Sequence, residues 1–97
     1  MQPEQHPLYR LLTREGPSGS PLIQQQLGLS QPTVSRLIRA FGHRIIRIGK
    51  ARATRYACLD AHAPMPRMPL YAINTDGVPM QIADLCLLSS GHCYVES

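Results

Sequence analysis

Between residues 8 and 41 apolar positions recur with a helical period. Leu8, Leu11 and Leu12, followed by Glu15, keep the i, i+3, i+4, i+7 rhythm and predict a first helix over residues 8–15. The run GPSGSP, Gly16 to Pro21, stops it, and Ser20 before Pro21 reads as an N-cap with proline at the first helical position. A second short helix, Pro21 to Leu27, sets Ile23 and Leu27 on one side and Gln24, Gln25 and Gln26 around the rest. Gly28 ends it, free to take the left-handed conformation of a helix C-terminus. Ser30 then offers a hydroxyl to the free N–H groups of a third helix, in whose first turn Pro32 costs no hydrogen bond. Two helices joined by a short turn containing glycine make the helix-turn-helix plan.

The third helix can be laid out at about 100° per residue. Val34, Leu37, Ile38 and Phe41 fall within one apolar stripe, roughly 100° wide, suited to pack on the first two helices. The opposite side carries Pro32, Ser35, Arg36 and Arg39, with Gln31 and Thr33 at the flanks near the N-terminus.

From Ile45 the period changes. Ile46 and Ile48 share one face; after the break GKARA, Thr54, Tyr56 and Cys58 alternate with Arg55, Ala57 and Leu59. This predicts a two-stranded hairpin with Lys50 and Arg52 at its tip, and Tyr56 packed near Ile46 and Ile48. HAPMPRMP, His62 to Pro69, is too proline-rich for a helix or a central strand, so residues 61–69 read as a linker. Beyond it LYAI, VPMQI, LCLL and HCYVE, separated by turns at Asn74 to Gly77 and at Ser89 to Gly91, read as a small β-meander over residues 70–97. So short a run of strands cannot build a core alone and must lean on a neighbour. The expected fold class is α+β: a winged helix-turn-helix over residues 1–60, then the linker and the meander.

Charge sharpens this picture. The formal net charge is +4, but residues 1–60 hold nine Lys and Arg against three acids, and residues 61–97 hold one against three. From Arg36 to Arg55 there are seven basic residues and no acid, which makes this stretch the expected polyanion-binding part. A helix in the major groove presents its N-terminal residues to base edges, and arginine matches guanine O6 and N7. The candidate DNA-binding set is therefore Ser30, Gln31, Thr33, Ser35, Arg36 and Arg39 on the helix, with Lys50, Arg52 and Arg55 on the hairpin reaching backbone or minor groove. Arg36 is assigned a base contact and Arg39 a phosphate. Solubility alone would also produce such an outer face, so the weight rests on the neighbouring turn and hairpin rather than on the helix itself.

Cys58, Cys86 and Cys93 form no CxxC pair, and no signal-peptide or membrane-spanning run precedes them. A cytoplasmic protein with reduced thiols is expected, without membrane contact. Cys86, His92 and Cys93 lack the fourth ligand and spacing of a zinc site. Ser89, Ser90, His92 and Cys93 read as a turn rather than a catalytic set, and Met65, Met68 and Met80 as loose packing. No nucleophile with a base, carboxylate pair or phosphate cradle is assembled, so no catalytic residue, no metal and no cofactor are expected.

Residues 22–42, LIQQQLGLSQPTVSRLIRAFG, resemble the helix-turn-helix of bacterial transcription regulators, departing from it at Gln24, where a small residue such as Ala is usual. More widely, SQPTVSRLIRAFG, RIGKARATRYA, the proline-rich link and LYAINTDGVPMQIADLCLLSSGHCYVE together resemble the amino-terminal region of HipA-family serine/threonine kinase toxins that carry a winged helix ahead of the kinase. The 97 residues contain no Gly-rich phosphate loop, kinase catalytic loop or metal-binding aspartate motif. The resemblance thus implies a DNA-binding and interaction module without kinase chemistry. The expected function is sequence-specific binding of double-stranded DNA as a homodimer, in transcriptional autoregulation of a toxin–antitoxin system. The competing expectation is a module whose meander docks on a HipA-like kinase partner and modulates it.

Overall fold

The computed structural model describes residues 3–96; residues 1, 2 and 97 of the spans predicted above lie outside it. Helices α1 (Pro7–Glu15), α2 (Ser20–Leu27) and α3 (Gln31–Phe41) are followed by a hairpin, β1 (Ile45–Ile48) and β2 (Arg55–Cys58). Strands β3 (Arg67–Ile73), β4 (Pro79–Leu87) and β5 (Cys93–Glu96) complete the chain. The architecture is α+β, with three helices and two small antiparallel sheets, one of order β1-β2 and one of order β3-β4-β5.

The helix termini have local causes. His6 is the N-cap of α1, its Nδ1 accepting the Leu8 N–H at 3.0 Å, and its ring meets Phe41 of α3 edge-on at 5.2 Å. At α2 the N-cap is Gly19 rather than the expected Ser20. Ser20 already lies inside the helix, and its hydroxyl accepts instead from the Gln24 side-chain amide at 3.0 Å. Gly28 takes the left-handed conformation, φ 65° and ψ 36°, so that Gly28, Leu29 and Ser30 turn the chain directly into α3.

The helical stripe packs as its period requires. Leu8, Leu11 and Leu12 of α1, Ile23 of α2, and Val34 and Ile38 of α3 are buried together, with Leu37 and Phe41 half-buried at the margin. The hairpin closes this core from below. Ile45 and Cys58 join it, and Ser18 pairs with Tyr56 through N–H to carbonyl bonds of 2.9 and 2.8 Å in both directions, so the loop before α2 is tied to β2 by an isolated bridge.

Both faces of the hairpin are covered. Register pairs Ile46 with Ala57 and Arg47 with Tyr56. Ile46 and Ala57 therefore face away from the helices, into a second core with Leu59, Cys86 and Leu88. Tyr56 does pack, but on the helical side, opposite Ile46 and Ile48 rather than beside them as the sequence reading had it. Alternation of side chains forces this, because neighbouring residues of one strand point to opposite faces.

In the second sheet, VPMQI and LCLL belong to one strand. β4 runs through, with an irregularity of register that leaves Ile82 unpaired between Gln81 and Ala83. The meander is anchored at its base: Asp60 N–H donates to the Leu87 carbonyl and Ser89 N–H to the Cys58 carbonyl, both at 2.9 Å. Cys86 is fully buried against the hairpin. The far end projects into solvent, and the molecule measures 54 × 29 × 20 Å. Tyr71, Ile73, Val78, Met80 and Ile82 on that arm are all more than half exposed, as is Met65. Met80 thus does not pack as expected, since the arm has no layer above or below it, and Met65 is exposed in the segment before β3.

Candidate nucleic-acid interface

α3 presents two unlike faces. Val34 and Ile38 are buried, while Gln31, Pro32, Ser35, Arg36 and Arg39 are exposed. Ser30 is the N-cap, but its hydroxyl meets the Thr33 hydroxyl at 3.0 Å instead of a backbone N–H, which leaves N–H groups of the first turn without a side-chain cap. That end of the helix therefore combines open donors, two hydroxyls and the Gln31 amide. Such a group can hold a phosphate and read an adjacent base edge.

The hairpin supplies a second basic cluster. Lys50, Arg52 and Arg55 are exposed around a tip in which residues Ala51–Ala53 form a single 3-10 turn. Arg47 is a cation that sequence reasoning passed over: its guanidinium lies 5.9 Å from the Tyr56 ring centroid, on the face shared with Tyr56. The signal lay in the register, since a residue directly opposite an aromatic on a two-stranded ribbon stacks on it. The helix set and the hairpin set are thus separate groups, connected through the 3-10 turn Gly42–Arg44. Among the described residues, salt bridges involve only Arg14 with Glu15, and Arg67 with Asp84 and Glu96. No carboxylate of these residues neutralises Arg36, Arg39, Lys50, Arg52 or Arg55.

The tip is held by backbone geometry. Gly49 has φ +87°, and a Cβ there would lie 2.8 Å from the Ala53 carbonyl oxygen; Ala51 also adopts positive φ, at 53°. Gly49→Ala should destabilise the fold by about 1 to 3 kcal/mol, through strain and a backbone clash together. Gly28→Ala meets nothing within 4 Å and carries only the left-handed penalty, about 1 kcal/mol. Urea denaturation of the two variants measures the difference.

Other clusters stay quiet. Ser90 and His92 bond to each other at 3.1 Å across their turn, and no group of three His, Cys, Asp or Glu suited to a metal occurs among the described residues. No helix among them is long and apolar enough to cross a membrane.

The exposed cationic helix, its glycine turn and the basic hairpin form one continuous segment, and comparison with known proteins covers all of it. The chain is similar to toxin YjjJ of Escherichia coli (strain K12). Identity is 41% over 85 residues, which is 87% of this chain and 19% of the toxin. The chain therefore spans about a fifth of the length of YjjJ. With 87% of the chain covered, the similarity cannot be confined to residues 1–60 and takes in most of the meander as well. No protein-family model matches the chain, and no solved structure matches it.

Proposed function

We propose that the chain is a winged helix-turn-helix module that binds double-stranded DNA sequence-specifically, with α3 as the reading helix and the β1–β2 hairpin as the wing. One observation carries this reading: the seven basic residues from Arg36 to Arg55, spread over α3, the 3-10 turn Gly42–Arg44 and the hairpin, are all exposed, and no described acid pairs with the five candidate contacts among them. Arg36 is assigned a guanine edge, Arg39 a phosphate, and Lys50, Arg52 and Arg55 the backbone beside the site. One helix of this length reads few base pairs, so two copies on a palindromic site would supply specificity. The likeness to a toxin suggests transcriptional regulation within a toxin–antitoxin system.

The test is a salt titration on a selected cognate duplex. Affinity should fall steeply with salt, and Arg36→Ala should cost about 1 to 3 kcal/mol on that duplex while changing non-specific binding much less. Arg52→Ala should weaken all sequences alike and flatten the salt slope. If neither substitution changes binding, the proposal is wrong.

A second reading has its own observation. The apolar meander, with its arm uncovered, suits a module that docks on a HipA-like kinase partner.

A further inference from the structure

The two edges of the β3-β4-β5 sheet are not equivalent. Leu88 N–H donates to the His92 carbonyl at 2.9 Å, so hydrogen-bonded pairs alternate from there as Cys86 with Tyr94 and Asp84 with Glu96. Cys93 and Val95 belong to the other pairs, and their N–H and C=O groups aim outward along β5. On the opposite side Leu87 N–H donates to the Pro66 carbonyl at 2.7 Å, which makes Met68 and Leu70 the ladder residues of β3 and turns Arg67 and Pro69 outward. Pro69 has no N–H to offer. The β3 edge is thus interrupted at Pro69, between the outward Arg67 and Tyr71, while both outward residues of β5 keep their N–H groups for pairing.

The sheet faces are unequal too. Pairing puts Met68, Leu70, Leu85, Leu87, Cys93 and Val95 on one face, and none of them is fully buried or belongs to either core. The other face holds Cys86 and Tyr94 against the hairpin, and the ion pairs of Arg67 with Asp84 and Glu96. The uncovered face carries no charge, and Val95, 54% exposed, sits where it meets the open edge.

We infer that β5 receives an additional strand from a polypeptide equivalent to the part of toxin YjjJ outside the matched stretch, and that this strand's apolar side chains continue over the uncharged face. The inference rests on the second reading above and specifies its mode of docking. The occupant is chosen by length: the toxin carries a similar stretch as 19% of its chain, so about four fifths of its polypeptide is available beside a similar sheet. The incoming segment is extended, with alternate residues apolar, because only an extended strand satisfies the outward Cys93 and Val95 groups.

The experiment co-expresses this chain with YjjJ lacking its matched stretch and follows amide exchange in the chain alone and in the complex. The Cys93 and Val95 amides should become protected on binding, and the Arg67 amide should not. Val95→Pro removes an outward N–H without touching the β4 ladder and should weaken the complex by about tenfold or more, whereas Val95→Ala, which keeps the N–H, should lose less. Val95→Lys, which keeps the backbone and charges the apolar face, should weaken it as well. A complex in which Cys93 and Val95 still exchange freely, or which tolerates both Val95→Pro and Val95→Lys, overturns the inference and leaves the docking reading standing. Failure of any complex to form ends that reading and the inference with it. Self-association of the chain alone that Val95→Pro abolishes overturns the choice of partner, since a second copy would then fill the edge.

Discussion

Leu8→Ala should lower the free energy of unfolding by about 2 to 5 kcal/mol, read as a drop in the denaturation midpoint with an unchanged slope. Leu8 is 0% exposed and lies in the core that joins α1, α2, α3 and the base of the hairpin. Truncation removes three carbon atoms where nothing flexible can move in: Ile23 and Val34, at 0% and 1% exposure, are themselves fixed by short helices. Domains of this size are stable by only about 5 to 15 kcal/mol, so the loss is a large share of the whole. If the proposed function holds, DNA binding should fall with it, because Val34 and Ile38 seat α3 on this cluster. Met80→Ala is the control. Met80 is 56% exposed on the projecting arm, and its removal should stay within about 0.5 kcal/mol.

The helical part was legible in the sequence because burial there follows one period. Each apolar position on α1 and α3 that fell in the stripe is buried or half-buried, and Gly28 at the turn has the conformation its position demands. The hairpin was legible as a hairpin but not in its surroundings. Alternation identifies one buried face, whereas β1 and β2 bury both at their base, with Ile45 and Cys58 on one side and Ile46 and Ala57 on the other. Contacts across about thirty residues of chain, such as Ala57 with Cys86 in one cluster, leave no local trace. The cap expected at Ser20 falls at Gly19, and Ser30 is the N-cap as expected but without its side-chain bond, for a related reason: a hydroxyl near a helix start has several acceptors and donors within reach, and Gln24 and Thr33 won. For the candidate site, exposure and charge could be read in advance, but the stacking of Arg47 on Tyr56 needed the register. The openness of β5 needed it as well, since only the register tells which residues turn outward.

Alkaline pH should unfold this protein more readily than its composition suggests, and Cys58 is the cause. Burial pushes the Cys58 thiol from its ordinary 9.0 up to about 12, because the thiolate would lie in the helical core without a cation beside it. Burial raises the Cys86 thiol in the same direction, partly offset by the Arg67 guanidinium. The sign follows from proton binding. Above the ordinary value the unfolded chain releases the Cys58 proton while the folded chain keeps it, so the unfolded state binds fewer protons and stability falls as pH rises. The contribution is complete below pH 9.0 and is lost towards pH 12; a gap of that size corresponds to about 4 kcal/mol. Cys58→Ala isolates the effect, because every other titratable group is common to both proteins. At pH 7 the variant should be the less stable by about 1 kcal/mol, for lost packing in a site that is 1% exposed. Its denaturation profile should then decline less steeply above pH 9 and cross that of the parent protein. Parallel profiles from pH 8 to 11 would mean that the thiolate is accommodated in the core, through water or a local opening between α1 and the hairpin.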